Sequence, residues 1–277
     1  MSTPDELLRG WPSRDVCLVG LRPSPGYDTT VEPVTLAGDP DRRFALASVT
    51  KLLTATAMWI ALAEGAVSLG DSAGPPGSTV EHLLSHASGL APDDDTVLAA
   101  PATRRIYSNR GVELAVEHLV ARTGIPFVDY LGEAVLEPLA MAATELRGSP
   151  AHAGVSTGSD LARWAGETLE PRAVLDTRLL AQVTACRFPG LDGVVPGFGS
   201  HSPNDWALGP ELRGGKSPHW MATAASPATF GHFGRSGTFL WIDPVRRRGL
   251  IGLGDAAFGP WAVSLWPRLG DWWLGQA

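Results

Sequence analysis

Ser48 and Lys51 stand three residues apart in "FALASVTKLLTATAMWIALAEG", residues 44 to 65. On a helix that spacing puts an alcohol and an amine on one face, a turn apart. A serine hydroxyl is a weak nucleophile until a neighbouring base takes its proton. A lysine held among apolar side chains has its charged form disfavoured, so its pKa falls toward the range of a working base. Free backbone N–H groups and the dipole at the start of a helix favour developing negative charge beside Ser48. Nucleophile, tunable base and half an oxyanion site coincide, which is the equipment for acyl transfer. The rarity of lysine sharpens the point. Among 22 Lys and Arg residues only two are lysines, Lys51 and Lys216. Taken alone, S-x-x-K also fits a helix-capping serine with a snorkelling lysine, so the tetrapeptide needs company.

Two segments supply it. "YSN", Tyr107 to Asn109, precedes a stretch of helical period, and Tyr107 is one of three tyrosines. "GHFGRSGTFLWIDP" begins at Gly231, just before a pair of strand-like runs. In this order the three segments resemble the serine β-lactamase and penicillin-binding-protein superfamily, specifically its class C β-lactamase and related esterase branch. That branch carries S-x-x-K, Y-x-N and a K-T-G or H-x-G strand motif, related to the three-motif set of class A enzymes. "FALASVTK", "VEHLLSHASGL", "VSTGSDLARW" and "FLWIDP" are similar to segments of the same branch, so the resemblance covers most of the chain.

The resemblance implies roles residue by residue. Ser48 would be the acylated nucleophile and Lys51 its base. Tyr107 would share their proton network, protonating the leaving group and helping to activate the deacylating water. Asn109 would hydrogen-bond the acyl side of the substrate and orient Lys51. His232 takes the place of the strand-motif lysine, and Gly234 would let the strand backbone approach the substrate. The N–H groups of Ser48 and Arg235 would form the oxyanion hole. No cofactor and no metal is implied. The chain departs from the family pattern at His232-Phe233-Gly234. Phe233 offers no hydroxyl, and His232 would be at best partly charged near neutral pH. A grip on a penicillin or D-Ala-D-Ala carboxylate is therefore weakened, with Arg235 as a substitute of unknown orientation. The expected function is a serine hydrolase acting on a small ester or amide. A true β-lactamase or D-alanyl-D-alanine peptidase is the alternative, and a non-catalytic ligand-binding module on the same fold a third.

Other motifs have simpler explanations. "GVSTG", residues 154 to 158, matches a nucleophile elbow but lacks the hydrophobic strand before it, so a helix entry capped by Thr157 is expected. His82 and His86 have zinc-protease spacing without the glutamate that should follow the first, and packing around a turn is expected. "GGKS", residues 214 to 217, fails as a phosphate loop because residue 210 is Pro210. Trp261, Trp266, Trp272 and Trp273 read as core packing.

The elements that must position these groups follow from period and punctuation. Strands are expected over 16–23 and, weakened by Pro33, over 31–38. A central helix apolar on all sides should run from 48 to 65, followed by a loop over 69–78. Further helices are expected over 79–90, 108–124, 125–141 and 156–169, the last with a capping-box match from Thr157 to Asp160. Residues 186 to 229 are rich in Gly, Pro and Ser and resist assignment. A hairpin over 237–244 and 247–255 leads into a Trp-rich helix at the C-terminus, with Arg246 to Arg248 at its solvated turn. This order predicts an α+β fold: an antiparallel sheet formed by both chain ends and flanked by helices, with a mostly helical subdomain inserted. A single β-lactamase-like domain over 1–277 is expected, its α/β part about 1–70 with 220–277 and its helical part about 71–219.

Composition bounds the partners. A chain of 277 residues with 44% hydrophobic and 18% charged residues can bury a large core. A net charge of −7 argues against nucleic acid or an anionic membrane surface, and the resemblance implies a small-molecule ester, amide or β-lactam as partner. No apolar run is long enough to span a bilayer, and "MSTPDELLRGWPSRD" has no signal-peptide pattern, so a cytoplasmic location is expected. Cys17 and Cys186 lie beside apolar residues and read as small buried hydrophobes rather than a disulfide or metal pair.

Overall fold

Period-two alternation decides which side of the sheet each strand residue faces, and here both sides are covered. The computed structural model describes residues 4–26 and 30–276. Tyr27 and the first three residues of the N-terminal stretch lie outside them. In chain order the elements are helix α1 (Pro4–Leu8), strands β1 (Val16–Pro23), β2 (Val31–Ala37) and β3 (Phe44–Ala45), a 3₁₀ turn (Ala47–Val49) and helices α2 (Thr50–Ala63), α3 (Val80–Leu84) and α4 (Asn109–Thr123). Next come α5 (Phe127–Leu131) with a π turn (Gly132–Leu136), strands β4 (Glu145–Leu146) and β5 (Gly154–Ser156), and helices α6 (Gly158–Leu169) and α7 (Thr177–Val183). The chain ends with β6 (Gly193–Val195), β7 (Gly199–His201), β8 (Glu211–Leu212), β9 (Phe230–Gly234), β10 (Thr238–Asp243), β11 (Arg248–Gly254) and α8 (Pro260–Leu274).

The main sheet has strand order β2-β1-β11-β10-β9-β8, antiparallel throughout. Both chain ends contribute, as expected for the α+β fold. β2, with Pro33, lies on one edge, where a missing backbone N–H costs least. On β10, Leu240 and Ile242 join the core shared with α2 and α6, whereas Phe239 and Trp241 join the second core under α8. Ile251 and Leu253 of β11 face the first core and Leu250 the second. Continuous apolar runs in these strands thus reflect two buried faces. The C-terminal tryptophans do pack: Trp266 and Trp273 are buried in the second core.

α2 is buried over Thr50 to Ala61, which explains its lack of a polar face. Trp59 Nε1 donates to Leu208 O at 2.7 Å, and Trp164 Nε1 of α6 donates to Thr56 Oγ1 at 2.8 Å. α6 is capped as expected, with Thr157 accepting from Asp160 N. Two helices are shorter than their patterns suggest. α3 stops at Leu84 because Ser85 Oγ bonds back to Glu81 O at 2.7 Å and His86 turns to φ 56°. The 125–141 helix changes to a π turn after Leu131.

Cys17 is buried as expected, but Cys186 is exposed, with its Sγ 3.5 Å from Asp205 Oδ1. It follows α7 in a loop, where an apolar sequence neighbour says nothing about spatial neighbours. The arginine turn is only partly solvated: Arg248 lies over the Trp273 ring at 5.3 Å and donates to Gln276 O. No helix among the described residues is long and apolar enough to cross a membrane.

At Gly20 of β1 the sheet meets α8 so closely that a Cβ would lie 2.4 Å from the Trp273 ring. Gly20→Val should therefore lower stability by about 1–3 kcal/mol through overpacking, read as a reduced urea midpoint with unchanged slope.

Candidate active site

The turn carrying Ser48 is clamped from two sides. Leu46 N donates to Gly154 O at 2.9 Å, joining it to β5, and Thr50 Oγ1 donates to Ala47 O at 2.6 Å while accepting from Gly154 N at 2.9 Å. From β10, Thr238 Oγ1 donates to Leu46 O at 2.7 Å. On β9 a Cβ at Gly234 would lie 2.4 Å from Leu46 O and 3.0 Å from Ala47 Cβ, so only glycine permits this approach. Ala47 sits at φ 46°, a strained conformation for alanine that this clamp enforces next to Ser48. Ser48 itself lies in the 3₁₀ turn, two residues before α2 begins, rather than in the α-helix proper.

Lys51, in the first turn of α2, is 1% exposed. Its Nζ lies 3.3 Å from Ser48 Oγ, 2.6 Å from Asn109 Oδ1 and 2.8 Å from Ala151 O. Burial lowers its pKa to about 7, against the opposing pull of Asp93 and Glu113. In the neutral amine, two N–H groups serve the closer acceptors, Asn109 and Ala151, and the lone pair is left for the Ser48 hydroxyl. That is the geometry a base requires.

Tyr107 and Asn109 are placed by the start of α4. Ser108 caps the helix, accepting from Gly111 N at 2.9 Å and donating to Ala91 O at 2.7 Å. Its neighbours on either side then face the cleft. The Tyr107 ring lies under Lys51 Nζ, 4.7 Å from centroid to nitrogen. Its phenol is buried and raised in pKa by that burial, with Ser48 near enough to oppose the shift, yet it makes no hydrogen bond of ordinary geometry. A phenol so resistant to ionisation stays protonated and can pass a proton on only as another acid replaces it, whereas Lys51 is the group poised to take one. Asn109 Nδ2 donates to Asp93 Oδ1 at 2.7 Å, which turns its amide oxygen toward Lys51.

His232 also lies in the cleft, on β9. Its Nδ1 donates to Phe233 O at 2.7 Å, and its ring is enclosed by Tyr107 and Trp206 at centroid distances of 5.6 and 5.9 Å. Burial, with Lys51 nearby, brings its pKa down to about 3. The ring is therefore neutral at physiological pH, further from a cation than the sequence implied. Arg235 is exposed and lines the cleft. Arg105, in contrast, is buried in a structural role, donating to the carbonyls of Ser85, Arg187, Phe188 and Asn204.

The cleft has two lobes that meet at Ser48. One, of about 180 Å³, is lined by Tyr107, Trp206, His232, Phe233, Phe258 and the Val194-Val195-Pro196 segment. The other is bordered by Ala45, Ala47, Asp93, Asn109, His152 and Ser236. All seven candidate residues of the three motifs converge here. Sequence reasoning missed Asp93, the Ala151 carbonyl, Trp206 and Glu211. No local signal marks them, because each acts through a partner remote in the chain. Glu211 is buried and accepts from Lys216 at 2.7 Å, His219 at 2.9 Å and Trp220 at 2.7 Å. Burial favours its protonation, but the Lys216 and His219 partners override that and hold it ionised.

The rejected motifs have other duties. Ser156 of "GVSTG" is fully buried against Thr144 at 2.7 Å with no base beside it. His82 bonds Thr79 Oγ1 and stacks on Phe188, while His86 accepts from Ser108 N and packs on Tyr107. No group of three or more potential ligands among the described residues could hold a metal ion.

Residues 32–260 match the Beta-lactamase family model, and the chain belongs to that family. A solved β-lactamase from Mycobacterium bovis is 48% identical over 96% of both chains, with a TM-score of 0.90. An octameric penicillin-binding protein homologue from Pyrococcus abyssi shares the fold at 18% identity and a TM-score of 0.71, over 95% of this chain and 74% of its own. No curated protein matches the chain.

With two lysines in the chain, a ¹³Cε-lysine label should give two NMR signals, and the Lys51 signal should titrate near pH 7. Asp93→Asn removes a charge that favours the ammonium, so the midpoint should move to lower pH. A Lys51 midpoint in the ordinary lysine range contradicts the burial argument.

Proposed function

We propose that the chain is a serine hydrolase that forms an acyl-enzyme at Ser48 and acts on a small ester or amide. One observation carries this reading: a buried amine with a pKa of about 7 lies 3.3 Å from the hydroxyl of a partly buried serine that lines the cleft. Family membership agrees with it.

In the proposed cycle Lys51 takes the Ser48 proton as Oγ attacks the carbonyl carbon. The Ser48 and Arg235 N–H groups stabilise the oxyanion. The bond to the leaving group breaks, and Tyr107 gives that group a proton and is reprotonated from the Lys51 ammonium. Water then attacks the ester on Ser48, with its proton returning through the same pair. Asn109, held by Asp93, orients the amine throughout. His232 and Gly234 form the strand wall, Gly234 by allowing its close approach.

A small ester is favoured over a penicillin because the strand motif offers no cation where the family's lysine would stand. His232 is neutral, and Phe233 has no hydroxyl. The Mycobacterium bovis relative is described as a β-lactamase, so β-lactams are the natural competitor in any assay.

A fluorophosphonate should add once, on Ser48, as read by intact mass, and Ser48→Ala should show no adduct. Lys51→Ala should slow acylation by roughly 100-fold or more. Because only neutral Lys51 accepts a proton, the rate should rise with pH through about 7 and level off above it. Across an aryl ester, a cephalosporin, a penicillin and a D-Ala-D-Ala peptide, the ester should have the highest kcat/KM. Efficient penicillin turnover with little esterase activity would reverse the substrate ranking.

A further inference from the structure

The two lobes differ in chemistry, and that difference bears on which half of a substrate each one holds. The lobe of about 180 Å³ is walled by Val194, Val195, Pro196, Phe233 and Phe258. Val194 stands at its lip, 54% exposed. The wall is held in place at both ends of the β6–β7 hairpin. Arg105 N donates to Asp192 O at 2.7 Å, and Gly197 packs so tightly that a Cβ there would lie 2.8 Å from the Phe258 ring.

Two of the polar groups in the lobe oppose an anion, while the unpartnered Tyr107 hydroxyl is a donor. His232 commits its Nδ1–H to Phe233 O, so its Nε2 carries a lone pair, and that atom has no partner. Glu211 also lines the lobe as a carboxylate. Lys216, which could have supplied a cation, is 3% exposed and spends its donors on Glu211, Asn204 and Asp205. Arg235 borders both lobes and is exposed, so it stands at the mouth rather than inside. A carboxylate driven into this lobe would lose its hydration and meet a lone pair and another carboxylate. The phenol of Tyr107 lines this lobe and does not border the other. A leaving oxygen that takes its proton from Tyr107 must depart on this side.

We infer that the apolar lobe is the subsite for the alcohol half of an ester, and that it selects an uncharged group of single-aryl-ring size while rejecting carboxylates. A dry cavity of about 150 Å³ suffices for benzene, so the space here suits one ring. The assignment rests on the reading of Ser48 as an acyl-transfer centre, and the tests separate the two. In the reaction Ser48 Oγ bonds the acyl carbon as its proton passes to Lys51. The bond from that carbon to the aryloxy oxygen breaks, and the proton passes from the Lys51 ammonium through the Tyr107 hydroxyl to the departing phenoxide, which leaves as phenol.

Phenyl acetate and 3-carboxyphenyl acetate have leaving groups of similar acidity, because a meta carboxylate scarcely alters the phenol. The carboxylated ester should show kcat/KM at least roughly tenfold lower, given the cost of an unpaired buried charge. Val194→Asp, at an exposed position, should raise KM for phenyl acetate by a larger factor than KM for ethyl acetate, whose small alcohol half meets less of the wall. Binding is tested apart from catalysis with Ser48→Ala: saturation-transfer NMR should detect phenol, and 3-hydroxybenzoate should give no signal. Phenol binding with no ester turnover by the wild type would support the subsite while overturning the hydrolase reading. Equal binding of 3-hydroxybenzoate, equal cleavage of both aryl esters, or a Val194→Asp effect that follows the acyl chain instead of the alcohol would overturn the subsite.

Discussion

Everything in the cleft depends on keeping one amine dry without leaving it unpartnered. A lysine taken out of water loses hydration that nothing apolar can replace, so its three neighbours are obligatory. Those neighbours come from the turn before α2, from the first residue of α4 and from the segment leading into β5. Three segments widely separated in sequence must therefore converge on one nitrogen. Without that convergence the amine would either reach water and recover an ordinary pKa or destabilise the fold.

The strand motif obeys a related constraint. β9 can press against the Ser48 turn only because Gly234 lacks a side chain, and the contact brings His232 into the same enclosure. Enclosure then decides the charge of His232. Beside a lysine and away from solvent, a second cation would be costly, and the ring donates to a carbonyl instead. The same low-dielectric surroundings that prepare Lys51 to accept a proton hold Tyr107 protonated and His232 neutral. One environment thus assigns three protonation states. The second lysine shows the contrast: Lys216, also buried, is tied to the Glu211 carboxylate and donates to Asn204 and to the Asp205 carbonyl.

Sequence reading succeeded where the signal is local. The S-x-x-K spacing, the helix after Tyr107, the cap at Thr157 and the hairpin at the C-terminus each involve residues within a short stretch, and all four stand in the fold. It fell short where partners are remote. Cys186 was read as buried from its sequence neighbours, and residues 186 to 229 resisted assignment because β6, β7 and β8 are too short to show a period. Yet that region supplies Trp206, Glu211 and the apolar wall of the cleft.

Residue type and spacing alone singled out Ser48 and Lys51 as the candidate nucleophile and base a turn apart. Motif order carried the resemblance to the family, because spacing and order are properties of the chain itself. Tertiary structure decided the rest: that the Asn109 amide oxygen faces Lys51, that Arg105 is a buried brace and Arg235 a cleft residue, and that His232 is uncharged. The physical reason is that orientation and protonation depend on hydration and on neighbours in space. Those neighbours, Asp93, Ala151, Phe233 and Trp206 among them, are brought to the cleft only by folding.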